Sequence, residues 1–137
     1  MSLFNVFDIA GSGMSAQSVR LNTVSSNMAN ANNVSGNEND LYRAKNPVFA
    51  TVMQDVNGNS AASGVRVARI EESNQEAIRR YEPDNPLANE QGYIYQANVN
   101  TIEEMANMIS ASRSYQNNVE VMNTAKQLLL ATLKLGE

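Results

Sequence analysis

The side chains with a type and spacing suited to chemistry are few. Asp84 and Glu90 lie in the loop-like stretch YEPDNPLANEQG at residues 81–92. Two carboxylates in one loop could work as a general acid and base or bind a hard cation. Both stand among turn-forming residues, however, and neither has a partner base that can be identified, so they read as solvated loop acids. Cys and His are absent. This removes thiolate nucleophiles, imidazole bases and the usual zinc ligands together. Gly11 and Gly13 form a GxG pair, but no strand precedes it and no third Gly or Lys follows, so it is no phosphate loop. No EF-hand spacing or tight acidic cluster occurs. The expectation is a protein without catalytic residues, cofactor or metal, whose informative residues are those that pack.

The net charge of -4 gives no electrostatic footprint for nucleic acid. No apolar run is long enough to span a bilayer. The N-terminal MSLFNVFDIAGSGMSAQ lacks the basic start and unbroken apolar core of a cleaved signal peptide, so export would need another route.

The elements that position the rest are the two ends of the chain. From Asn100 to Leu135 there is neither Gly nor Pro. Met105, Met108, Tyr115, Val119, Met122, Leu129 and Leu133 follow intervals of three and four, broken by Ser112 and Lys126, with Ile102 and Ile109 widening the stripe. That is the period of a helix facing another helix. Asn100 or Thr101 can cap its start, Thr101 with Glu104 fits a capping box, and Gly136 is a plausible stop. A helix of this length spans roughly 50 Å and calls for a long partner.

Residues 3–34 supply one. Phe7, Ala10, Met14, Leu21, Val24, Met28 and Ala31 repeat the same intervals, with Gln17 the one polar member. Gly11 and Gly13 weaken the early part by about 1 kcal/mol each, which predicts a separate or frayed first dozen residues. The Asn-rich NMANANNVSGNEN at residues 27–39 should end the helix near Val34, with Gly36 as the stop. Up to residue 37 the only charged side chains are Asp8 and Arg20. A neutral polar face can be buried against other chains without desolvating charges. Simple drift on a soluble helix is the alternative.

Between the helices the pattern changes. Residues 42–45 and 48–55 look extended, Pro47 marks a strand start or edge, and 65–70 (VRVARI) reads as the returning strand. Asn57-Gly58 signals a tight turn, lengthened by residues 59–64. Residues 71–80 are ambiguous, and 93–96 read as a last short strand. The expected fold is therefore mainly α with a small β insertion. It comprises an N-terminal helix in 1–37, a β-hairpin and loop region in 38–97 and a C-terminal helix in 98–137. The two helices are expected to pack as an antiparallel coiled-coil pair.

Several segments resemble the bacterial flagellar rod and hook proteins. Arg20-Leu21-Asn22 and Ser26-Asn27-Met28-Ala29-Asn30 resemble the N-terminal marks of that family. Asn98-Val99 with Glu103-Glu104-Met105, then Ala111, Arg113, Tyr115 and Asn118, then Leu133, Leu135 and Gly136 resemble its C-terminal helix. The middle YRAKNPVF and DNPLANEQGYI, and the short length, resemble the proximal-rod members. Ala97 departs from a Pro common in the family before Asn-Val. The resemblance implies a subunit of the axial rod that crosses the periplasm, transmits torque and surrounds an export channel. Implied partners are further copies, other proximal- and distal-rod proteins, the MS-ring/rod adaptor at the base and the flagellar type III export apparatus. Export unfolded, without a cleaved signal peptide, is implied too.

The residues expected to pack the helices or meet other subunits are Met14, Leu21, Asn22, Val24, Asn27, Met28, Asn30, Met105, Met108, Ile109, Arg113, Tyr115, Asn118, Val119, Met122, Leu129 and Leu133. Asn22, Asn27, Asn30, Asn117, Asn118 and Asn123 are read as hydrogen-bonding between helices, or else as exposed polar residues. Arg113 is read as paired with a neighbour's carboxylate, or else as solvated. A soluble helical adaptor or export chaperone is the competing reading; the sparse charge argues against it.

Overall fold

The computed structural model describes residues 3–56 and 59–135. Helix α1 covers Leu3–Ala29 and helix α2 covers Thr101–Leu135. Between them lie β1 (Val34–Ser35), a single 3-10 turn at Glu38–Asp40, β2 (Lys45–Val56), β3 (Asn59–Glu72), β4 (Ile78–Tyr81) and β5 (Tyr93–Gln96). The mainly helical architecture with a β region between two terminal helices matches the sequence expectation.

Helix α1 does not fray at its glycines; it runs unbroken from Leu3 through Gly11 and Gly13. The missing Cβ at Gly13 is used for close approach to α2: a Cβ there would lie 2.9 Å from Asn118 Nδ2. What Gly loses in helix propensity is thus offset by a close approach that a larger residue would disturb by displacing the Asn118 amide. The helix stops at Ala29, short of Val34, and leaves through tighter turns in which the Ala31 N–H donates to Met28 O (3.3 Å) and the Asn33 N–H to Asn30 O (3.0 Å). Asn30 Nδ2 donates to Ser26 O at 2.8 Å, taking up a carbonyl at the helix end. Gly36 is not the stop. It lies where the 82–92 loop crosses, so close that a Cβ would fall 2.5 Å from Leu87 O.

Helix α2 is capped by Asn100, whose Oδ1 accepts from the backbone N–H of Ile102 (3.1 Å) and Glu103 (3.3 Å). The capping box expected of Thr101 and Glu104 does not form, because Asn100 is the cap and Thr101 is already the first helical residue; Glu104 turns to Asn27 instead. The stop at Gly136 and the Asn57-Gly58 turn lie outside the described residues.

Strands β2 and β3 form an antiparallel hairpin in register from Lys45↔Glu72 to Val56↔Asn59, with irregularities at Val48/Phe49 and Val52/Met53. It is longer than expected: residues 59–64 pair in β3 and do not lengthen the loop. In a two-stranded sheet both strands are edges, so Pro47 costs no ladder bond to a third strand. The ambiguous 71–80 stretch ends in β4. Strand β5 is the centre of a second sheet, antiparallel to both β1 and β4. It buries Ile94, and Ala97 follows it with its N–H on Asn33 O at 3.0 Å. Tyr81 and Tyr93 meet edge to face across β4 and β5 at 5.1 Å between centroids.

The hairpin lies along α1. Ser12 Oγ donates to Ile9 O (2.8 Å) and accepts from the Val65 N–H (3.1 Å), fastening β3 to the helix. Buried positions in the helices are mostly small: Ala10, Ala16, Ala111 and Ala125, with Thr23 and Val24; Ala31 is buried just beyond the end of α1. Among the described residues, the largest side chains with less than 2% exposure are Ile94 and Asn27.

Candidate functional site

A buried asparagine is an unusual centre for a small domain, and its partners explain it. Asn27 sits near the end of α1, where the helix meets the root of the hairpin and the start of α2. Its Oδ1 accepts from the Tyr42 hydroxyl and from the Lys45 N–H, both at 2.8 Å. Its Nδ2 donates to Lys45 O at 2.9 Å and to Glu104 Oε2 at 3.0 Å. The carboxamide thus pairs with both backbone groups of Lys45, as a neighbouring strand would, and reaches α2 with its other hydrogen. All its donors and acceptors in this arrangement are used. Tyr42 extends the network to Ser26 Oγ at 3.1 Å. Glu104 is 7% exposed, so its carboxylate is held inside by that bond and not by a cation.

The helices meet at further points. Arg20 Nη2 donates to Asn107 Oδ1 at 3.0 Å, Gly13 touches Asn118, and Gly11 faces Met122 Cε at 3.9 Å. As positions fall along α1 they rise along α2, so the helices run antiparallel. Asn118 itself donates to Ser114 O at 3.0 Å.

These contacts place the seam of α2 one residue away from the expected stripe. Glu104, Ala111 and Ala125 are buried and Asn118 half-buried, with Met108, Met122 and Leu129 half-buried beside them. Met105 and Leu133 turn outward, as does Ile109, and Val119 is half-buried. Tyr115 is at the margin and Arg113 is exposed. On α1, Val24 and Asn27 are buried; Met14, Leu21, Met28 and Asn30 are half-buried; Asn22 is exposed. Asn117 and Asn123 are exposed too. Of the six asparagines considered, Asn27 makes an inter-helix hydrogen bond within the chain, and Asn30 caps its own helix. Sequence reasoning missed Glu104, Ala111 and Ala125. Their heptad spacing with Asn118 was available, but small and polar types at the seam carry little hydrophobic signal.

Several large apolar residues of α2 stay exposed among polar ones. Ile102 is 78% exposed, Ile109 57% and Met105 52%; Val121, Leu128, Leu130 and Leu133 are exposed further along. A groove of about 520 Å³ runs between Val6 and the Val121–Leu128 edge, beside Glu120. No group of three or more metal-ligating side chains occurs among the described residues, and no described helix is long and apolar enough to cross a membrane. Asp84 and Glu90 are both exposed.

Paired helices with a polar lock inside and apolar residues outside define a structural, assembly-forming protein. Residues 7–36 match the family described as "Flagella basal body rod protein", and residues 90–135 match "Flagellar basal body rod FlgEFG protein C-terminal". Along its whole length the chain is 50% identical to the flagellar basal-body rod protein FlgC of Salmonella typhimurium and 52% identical to that of Yersinia enterocolitica, covering all of each. It is 33% identical to the FlgC of Bacillus subtilis, again over all of both chains. The chain belongs to the FlgC family of flagellar basal-body rod proteins. This is a family of structural rod subunits, not of enzymes.

Proposed function

We propose that the chain polymerises with other rod proteins into a hollow drive shaft that crosses the periplasm, transmits torque and encloses an export channel. The observation that carries this is the pair of terminal helices joined by a small-residue seam, with Ile102, Met105, Ile109 and other large apolar residues of α2 left exposed. Such a pair spends little of its apolar surface internally and keeps the rest for neighbours. Segments 1–37 and 98–137 act together as the inner-tube unit, in which the Gly13–Asn118 and Asn27–Glu104 contacts belong to a coiled-coil seam. Segment 38–97 lies outside it. The residues that turn outward, Met105, Ile109, Arg113 and Leu133, and the exposed Asn22, meet other subunits. The partners are further copies, proximal- and distal-rod proteins and the MS-ring/rod adaptor at the base. The type III export apparatus carries the chain out without a cleaved signal peptide.

The test is removal of the gene and electron microscopy of purified basal bodies. Basal bodies should lack a complete rod, hook and filament, and the intact gene supplied in trans should restore them. Complete rods in its absence would refute the reading.

A further inference from the structure

Two exposed helix faces in this chain complement each other but cannot meet within it. On α1, Asp8, Ser15 and Ser18 are exposed, with Gly11 half-buried at the edge of the same face. Asp8 is the one exposed charge of that helix; Arg20, the other, is bound to Asn107. On α2, Ile102, Met105 and Ile109 stand exposed and lead to the exposed Arg113, the only basic residue between Thr101 and Ala125. Among the described residues neither the Asp8 nor the Arg113 side chain makes a hydrogen bond or ion pair.

The chain's own register keeps these two charges apart. Gly11 lies beside Met122 and Gly13 beside Asn118. Asp8 is therefore level with α2 roughly ten residues beyond Arg113, an axial offset of about 15 Å.

We propose that the Ile102–Arg113 edge of α2 packs antiparallel on the Asp8–Ser18 face of α1 in a second copy of this chain, with Arg113 paired to Asp8. This rests on the rod-subunit reading and names one contact of that assembly. Starting from Asp8, the small residues Gly11, Ser15 and Ser18 follow at steps of three, four and three. Starting from Arg113 in the opposite direction, Ile109, Met105 and Ile102 follow at four, four and three. With the charges opposed, each large side chain meets a position that offers room. A parallel arrangement in the same charge register carries Met105 and Ile102 past the start of α1. The antiparallel register is the one that covers all three. The face of α1 is otherwise neutral, so Asp8 is the single charge that docking has to desolvate, and Arg113 compensates it.

The absence of native cysteine makes the test direct. Asp8→Cys and Arg113→Cys are combined in one chain and expressed in cells lacking the native gene. Basal bodies are then oxidised and resolved on a non-reducing gel. An intrachain disulfide is excluded by the offset, since bridged Cα atoms lie within about 7 Å. The expected result is dimers and higher multiples of the 15.0 kDa chain that vanish on reduction and are missing with either single Cys. In parallel, Asp8→Arg or Arg113→Asp alone should lower completed rods per cell about tenfold by opposing like charges, and the D8R/R113D exchange should recover most of them. Incorporated chain with no cross-link, or cross-links solely to a different rod protein, would overturn the proposal and leave the rod reading intact. Absence of the native chain from purified basal bodies would instead overturn the rod reading.

Discussion

Replacing Asn27 tests the central physical claim, that a buried carboxamide holds three elements together. Asn27→Ala removes four hydrogen bonds. The Tyr42 hydroxyl keeps Ser26 as a partner, but the N–H and C=O of Lys45 and one oxygen of Glu104 lose theirs. An unsatisfied buried polar group costs about 1–3 kcal/mol. Lys45 is half-buried, so water can follow partway, and the low half of that range applies. The sum is about 3–6 kcal/mol, a large share of a domain's usual margin of roughly 5–15 kcal/mol. At about 3–4 °C per kcal/mol for a chain of this length the melting temperature should fall by roughly 10–20 °C. Asn27→Asp is the sharper probe. It keeps the two accepting bonds, loses both donating ones and sets a second carboxylate against Glu104, 3.0 Å away in the native pair. Two carboxylates in contact hold a proton more tightly when folded than when unfolded. A folded-state affinity raised in this way gives stability that is present at low pH and lost as pH rises. N27D should therefore be as damaged as N27A at neutral pH and recover partly on acidification, whereas N27A should not. Thermal and urea melts of the full chain at several pH values provide the measurement. A loss below about 1 kcal/mol for N27A, or N27D stability with the same pH dependence as the native chain, would show that the network does not bear on stability.

Gly13→Val should destabilise by about 1–3 kcal/mol, because its side chain enters the space of the Asn118 amide; circular dichroism melts would show it, and Gly13→Ala should cost less. Asn100→Ala should cost about 1 kcal/mol by uncapping α2, seen as loss of amide protection confined to the helix's first turn in hydrogen exchange. Arg69→Ala removes a surface pair with Glu71 and should change stability by less than about 0.5 kcal/mol in a urea melt; a larger loss would contradict the exposed setting of that pair.

Both helices, the start of α2 and the strands at 48–55, 65–70 and 93–96 were readable because periodicity and turn residues are local signals; the expected break in the first dozen residues of α1 and its end near Val34 were not what the structure has. What escaped depends on tertiary contacts. Gly11 and Gly13 read as helix breakers because propensity alone counts against them; only Asn118 and Met122 across the seam show why they belong in a helix. Glu104 read as a capping residue because the Thr101 pairing is local, whereas its partner Asn27 is far away in sequence. Residues 59–64 read as loop because Asn, Ser and Gly favour turns, yet in the structure they pair with β2 along a long hairpin. The Asn27 hub is half visible in the sequence, through its residue type and its place among the asparagines, but its three partner residues are not.

The one-residue displacement of the α2 seam has a physical logic of its own. A search for large apolar residues at three-four intervals finds Met105, Met108, Tyr115, Val119, Met122, Leu129 and Leu133 and assumes that the helix buries what is most hydrophobic; Met108, Met122 and Leu129 do lie half-buried at the seam. The fold does the reverse over part of that stripe. Ala111 and Ala125 are buried and Met105 and Leu133 exposed. Packing Ala and Gly between helices brings the backbones close and makes geometry, not buried area, the basis of specificity; the Asn27–Glu104 and Arg20–Asn107 bonds then set the register. The large side chains, freed from the internal seam, contribute their burial energy only when another surface arrives, at about 25 cal/mol per Å² of apolar area. A helix pair built this way has its alignment determined within the chain and much of its cohesion deferred to its neighbours. That division suits a subunit that has to join a rod in one orientation.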